Sequence, residues 1–251
     1  MTRAPSWILM PDERPDAKMV LLCLPYAGGG AAVFWKWGRG LPHTIQRAVL
    51  QLPGRESRFL EKPFDRMAPL IEALTAQVRP LFDRPVALFG HSMGALVAFE
   101  LARALRREGL QPVHLTASAF RAPHLPMRRR PLHALGRDEL KAELRRLGGT
   151  PPEIMENAEL WELVEPTIRA DLAVCETYAS RDEAPFDFPL MAVGGLRDQD
   201  LPPEDLAPWE KQTRAGFSLH FLPGDHFFLQ SSEGGLVELL REQLAPWWRG
   251  T

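Results

Sequence analysis

Residues 84–103, RPVALFGHSMGALVAFELAR, constrain the fold more than any other stretch of the chain. A short apolar run at 86–89 leads into GHSMG at 90–94, and a helical pattern starts at Ala95. A serine in a G-x-S-x-G turn between strand and helix sits on a sharp elbow, its hydroxyl raised above the strand end. Such a turn needs small neighbours where helix and strand close on each other, and Gly90 and Gly94 supply them. The strand before it and the helix after it are the context that gives this short motif its meaning.

The rest of the chain repeats the pattern of buried strand and helix. Apolar runs at 19–24, 47–52, 113–118, 188–193 and 217–222 read as strands, with a candidate edge strand at 7–10. Helical patterns fill 31–41, 68–82, 203–213 and 233–248 between them. Continuous apolar strands alternating with helices predict a doubly wound, mostly parallel sheet. In the 68–82 helix Leu70, Leu74, Val78 and Leu81 or Phe82 are expected inward. From 123 to 181 the character changes to charge and helix formers with no strand pattern. The expected division is therefore a core of 1–122 and 182–251 with a helical insertion at 123–181, read as a lid over the strand ends.

Composition narrows the function classes. With 251 residues, 45% hydrophobic and 25% charged, the chain has the make-up of one large globular domain. A net charge of −2 gives no support to binding nucleic acid or an anionic membrane. No apolar run approaches the ~20 residues of a bilayer span. The first residues lack a signal-peptide pattern, and the two cysteines, Cys23 and Cys175, read as buried thiols. The expected location is the cytoplasm.

In an open parallel sheet the site lies beyond the carboxyl ends of the strands. Four such ends carry distinctive residues: the glycine loop PYAGGG (25–30), Ser92, Asp198 and His226. The glycine loop lacks the Lys-Ser/Thr of a phosphate loop, so it is expected to present backbone N–H groups to a ligand. A serine hydroxyl needs a base, and the base needs an acid to hold its tautomer. His226, after the last strand, is the expected base. His91 sits inside the elbow and points away, and His43, His114, His124, His133 and His220 lack comparable placement. Asp198 is preferred as the acid over Asp200 on the same loop, and Asp225, adjacent to His226, is read as structural. The oxyanion hole is expected from the N–H of Met93 and an N–H near Ala27, each worth about 3 kcal/mol to a developing oxyanion. Arg55, Glu56 and Arg58 are expected to form a solvated charge cluster. The chemistry read from these residues is acyl transfer to water.

Six segments in order also resemble the external type II thioesterases of polyketide and nonribosomal peptide synthetases, on the α/β-hydrolase fold. They are LPYAGGGAAVFWKW (24–37), QLPGRESRF (51–59), FGHSMGALVAFELA (89–102), PTIRADLAVCETY (166–178), VGGLRDQD (193–200) and LPGDHFFL (222–229). The resemblance implies Ser92 as nucleophile, Asp198 as acid, His226 as base, Ala27 and Met93 in the oxyanion hole, and a helical lid over a narrow channel. It implies hydrolysis of acyl groups from the phosphopantetheine arm of acyl or peptidyl carrier proteins, with no cofactor besides that arm. Arg121, Arg128, Arg129 and Arg130 are then expected near the lid, where an acidic carrier could meet them. Competing readings are a carboxylesterase or lipase, an acyltransferase, and a catalytically silent binding protein.

Overall fold

The computed structural model describes residues 6–128 and 130–249. Seven strands form one sheet in the order β1-β3-β2-β4-β5-β6-β7. These are β1 (Ile8–Leu9), β2 (Met19–Leu24), β3 (Ile45–Leu50), β4 (Val86–His91), β5 (His114–Ser118), β6 (Leu190–Gly195) and β7 (Phe217–Leu222). Only β1 runs antiparallel, pairing Ile8 with Leu50 on β3. The other pairings are parallel, as unbroken apolar strands require. Every residue of β2 and of β4 is buried.

Helices α1 (Met67–Val78) and α2 (Met93–Arg107) pack on the sheet. Leu70, Leu74, Val78 and Leu81 are buried, as the helical spacing predicts. The expected 68–82 helix tightens into a 3₁₀ turn at Arg79–Asp83, where Pro80 cannot donate to the α ladder. Residues Ala31–Arg39 are likewise 3₁₀, and their buried stripe of Ala31, Phe34 and Trp37 has the three-residue period of that helix.

Between β5 and β6 lie α3 (Arg137–Leu147), α4 (Pro152–Glu156) and α5 (Ala158–Glu176). They enclose a second apolar cluster that includes Leu140, Leu144, Met155, Trp161, Ile168 and Leu172, and Ala27 of the glycine loop packs against it. This contact brings the helical segment over the strand ends. Short α6 (Pro203–Leu206) precedes β7, and α7 (Phe228–Ser231), α8 (Glu233–Gln243) and α9 (Ala245–Trp248) close the chain. The expected single helix at 233–248 breaks at Leu244 because Pro246 follows.

β3 and β6 are each displaced by two residues from the sequence reading, for physical reasons. β3 starts two residues earlier, so Arg47 lies inside it. Its guanidinium, 2% exposed, donates to the Phe34 and Trp35 carbonyls and pairs with Asp12 at 2.8 Å. β6 runs through Gly194 and Gly195, which pair with Phe221 and Leu222. A Cβ on Gly195 would collide with the Asp225 carbonyl, so this strand end is bare in order to let the next loop close upon it.

Candidate active site

Strand β4 ends at His91 and α2 begins at Met93, which leaves Ser92 alone on the turn. Its φ is +53°, in the left-handed region that costs a residue with a Cβ about 1–3 kcal/mol. Ser92 N–H donates to the Ser118 carbonyl at 2.7 Å, which pins the turn to β5. A Cβ on Gly90 would run into the Gly94 carbonyl, and one on Gly94 into the carbonyl of Leu24. The two glycines thus let helix, elbow and β2 approach to backbone contact.

Ser92, His226 and Asp198 come together although their elements are far apart in sequence. His226 Nε2 lies 3.0 Å from Ser92 Oγ, and His226 Nδ1 lies 2.7 Å from Asp198 Oδ2. A carboxylate can only accept, so Nδ1 carries the proton and the Ser92 hydroxyl donates to Nε2. Asp198 is 1% exposed in its side chain, and its Oδ1 accepts the Asp200 N–H at 3.1 Å. Asp200 pairs instead with Arg146 of α3 at 2.9 Å. Asp225 Oδ1 accepts the Phe227 N–H, a local turn contact.

Met93 is the first residue of α2, where a helix leaves its N–H groups without intrahelical partners. Ala27 lies on the glycine loop after β2, and both residues border the space above Ser92. Two cavities meet there. The larger, about 720 Å³, runs beneath Leu144, Val164, Ile168 and Leu172 of the helical segment. The smaller, about 310 Å³, extends past Met127 and Leu201. Ser92, His226 and Ala27 line both.

His91 supports the site from behind. It is fully buried and donates from Nε2 to the His226 carbonyl at 2.8 Å, so its Nδ1 accepts from the Ser118 hydroxyl at 2.9 Å. Burial, together with the nearby His226, holds His91 well below the usual imidazole range. His114, buried on β5, is lowered to about 4 by burial alone.

Both histidines make stability depend on pH. Above about 6.5 each is neutral whether the chain is folded or not. Below that value the unfolded chain takes up protons that the native protein refuses, so stability falls as pH drops from 6.5 toward 4. Each contributes up to about 1.4 kcal/mol per pH unit. The urea midpoint should therefore be lower at pH 5 than at pH 7, and His114→Leu should flatten that dependence. An equally steep profile in the variant contradicts the assignment.

The charge cluster at 55–58 is not solvated as the sequence predicts. Arg55 and Arg58 are buried and only Glu56 is exposed. Arg55 pairs with Asp171 of α5 at 2.7 Å. The missed signal lies in α5, where Asp171 shares the inward stripe of Ile168, Leu172 and Cys175. Of the expected basic group, Arg128 pairs with Asp205 at 3.1 Å and Arg130 with Glu139 at 3.6 Å, while Arg129 lies outside the described residues. Among the described residues no helix is long and apolar enough to cross a membrane.

The parallel sheet with its serine elbow defines an α/β-hydrolase. A family model described as the thioesterase domain matches residues 20–244. The chain is 39% identical over 240 residues to the gramicidin S biosynthesis protein GrsT of Aneurinibacillus migulanus, covering 95% of this chain and 94% of that one. Among solved structures it is similar to RedJ, a thioesterase from the prodiginine biosynthetic pathway in Streptomyces coelicolor. That match has a TM-score of 0.84 at 39% identity, over 92% of this chain and 88% of RedJ. It is also similar to BorB, the type II thioesterase from the borrelidin biosynthetic cluster, with a TM-score of 0.88 at 34% identity over 97% of this chain and 100% of BorB. The chain belongs to the thioesterase family, and its activity is thioester hydrolysis.

Proposed function

We propose that this thioesterase is an editing enzyme, removing acyl groups from the phosphopantetheine arm of acyl or peptidyl carrier proteins in a polyketide or nonribosomal peptide pathway. One observation carries the chemistry: the Ser92–His226–Asp198 hydrogen-bonded line opens where two cavities join. The substrate class is supported by GrsT, RedJ and BorB, which belong to gramicidin S, prodiginine and borrelidin biosynthesis, and by the similar ClbQ of the colibactin NRPS/PKS pathway.

Ser92 Oγ attacks the thioester carbonyl while His226 Nε2 takes its proton. Asp198 stabilises the resulting imidazolium, and the N–H groups of Ala27 and Met93 receive the oxyanion. Collapse breaks the C–S bond, and the proton on His226 passes to the departing sulfur. Water then attacks the acyl-serine with His226 again as base, and the acid leaves with Ser92 restored. Serine, imidazole and water complete this cycle, so the phosphopantetheine carried in by the substrate is the only prosthetic group involved. Helices α3–α5, whose leucines roof the larger cavity, act as the lid that keeps bulk water from the acyl-enzyme. The buried thiols Cys23 and Cys175 suit a reducing cytoplasm.

The test is a hydrolysis panel in which each acyl group is presented on a carrier protein, on free pantetheine and as a matched oxygen ester. The carrier-bound thioester should give the highest kcat/KM and the oxygen ester the lowest. Faster cleavage of oxygen esters would assign the protein to the esterases instead. Acyl transfer to an added alcohol or amine in preference to water would make it a transferase.

A further inference from the structure

Behind the glycine loop, α5 meets the segment after β3 through a buried ion pair. Asp171 Oδ2 accepts Arg55 Nη1 at 2.7 Å and Oδ1 accepts Nη2 at 2.8 Å, and the side chains are 3% and 7% exposed. Both partners also grip the loop. The same Oδ2 accepts the Gly28 N–H at 2.7 Å, and Arg55 Nη1 donates to the Gly29 carbonyl at 3.0 Å. The Gly29 N–H donates to the Tyr26 carbonyl at 2.9 Å. Gly28 holds φ +76°, so the chain reverses here. With the amides of Gly28 and Gly29 both engaged, the Ala27 N–H beside them makes no hydrogen bond among the described residues.

We propose that the Arg55–Asp171 pair positions the oxyanion hole. The carboxylate turns the Gly28 amide away from Ser92, and the guanidinium fixes the Gly29 carbonyl. Together they set the plane of the loop so that Ala27 presents its N–H to the reacting carbonyl. The guanidinium has a second effect. An unpaired carboxylate at the back of this loop would oppose the negative charge that grows on the substrate oxygen, and Arg55 cancels it. Asp171 and Arg55 touch neither substrate nor reacting atoms, so they act through the backbone. This assignment rests on the roles given above to Ser92 and Ala27.

Anchoring of α5 does not account for the pair. The helix is already tied down by Thr167, which donates to the Gly54 carbonyl at 2.8 Å, and by Arg169, which donates to the carbonyls of His133 and Leu135. A buried ion pair is a costly anchor, because packed apolar side chains of similar volume hold as well or better. Charge at this place is explained by the peptide groups it orients.

The experiment compares Asp171→Asn, the double variant Arg55→Met/Asp171→Leu, and Arg169→Met in the full chain. Active serine is titrated with a fluorophosphonate. A trifluoromethyl ketone mimic of the acyl thioester, which forms an oxyanion on binding serine, reports on the hole. For Asp171→Asn, kcat per titrated serine should fall about 10- to 100-fold with KM changed less than about threefold, and affinity for the ketone should fall by the same factor. The double variant removes both charges, so its Tm should recover toward wild type while kcat stays low. Arg169→Met should lower Tm with kcat per titrated serine unchanged. The proposal is overturned if Asp171→Asn keeps its kcat per serine, if the double variant regains turnover along with Tm, or if Arg169→Met loses as much turnover as Asp171→Asn. Should the double variant not fold, the Asp171→Asn ratios decide alone. Failure of the underlying reading looks different: wild-type protein would resist the fluorophosphonate and Ser92→Ala would still turn over.

Discussion

Ser92→Ala should lower kcat by on the order of 10⁶, the scale seen when a serine hydrolase loses its nucleophile. That corresponds to about 8 kcal/mol of transition-state stabilisation. The fold should not suffer, because alanine keeps the Cβ already accommodated at φ +53° and the pinning bond is made by the backbone N–H of residue 92. What disappears is the Oγ that donates to His226 at 3.0 Å. The measurement is single-turnover hydrolysis of an acyl-pantetheine thioester, with circular dichroism and fluorophosphonate labelling alongside. A folded variant within about tenfold of wild type would mean that water, not Ser92, attacks the thioester.

Asp198→Asn should cost on the order of 10⁴ in kcat, and the surrounding bonds explain why. One oxygen of Asp198 accepts the Asp200 N–H and the other accepts His226 Nδ1–H. An asparagine that keeps its oxygen on the Asp200 amide turns its NH₂ toward Nδ1. The imidazole must then carry its proton on Nε2, where it faces Ser92 and cannot accept from it. Asp200→Asn should change kcat by less than about threefold, since its partner Arg146 is half exposed and such pairs contribute little. A larger loss from Asp200→Asn than from Asp198→Asn would reverse the assignment.

The sequence carried the parts of the site that strand ends and short spacings define. The elbow was legible because glycine at 90 and 94 leaves few other conformations between a strand and a helix. Asp198 could be preferred to Asp200 because it lies nearer the strand end, and their opposite partners in the structure follow from that placement. Arg55 and Asp171 were not legible as a pair. They are 116 positions apart, and charges that satisfy each other inside a protein look in sequence like charges that face water. Arg47 hid the start of β3 for the same reason, its donors being taken up by carbonyls of a different segment. Gly194 and Gly195 read as a loop because glycine is a weak strand former, whereas their bareness serves a close backbone approach. The sequence places His91 inside the elbow without a partner, whereas its ring bonds Ser118 and the His226 carbonyl. Its hold on the His226 carbonyl depends on tertiary packing that no local pattern encodes.

That last bond spans 135 positions. It stitches the residue just before Ser92 to the main chain of His226, so the elbow and the imidazole are held to each other by more than the Ser92–His226 contact. Burial keeps His91 uncharged, which matters because its ring centre lies 5.7 Å from that of His226, where a second cation would repel any positive charge on that imidazole. The backbone thus holds Ser92 and His226 in fixed register, independently of the helices above them.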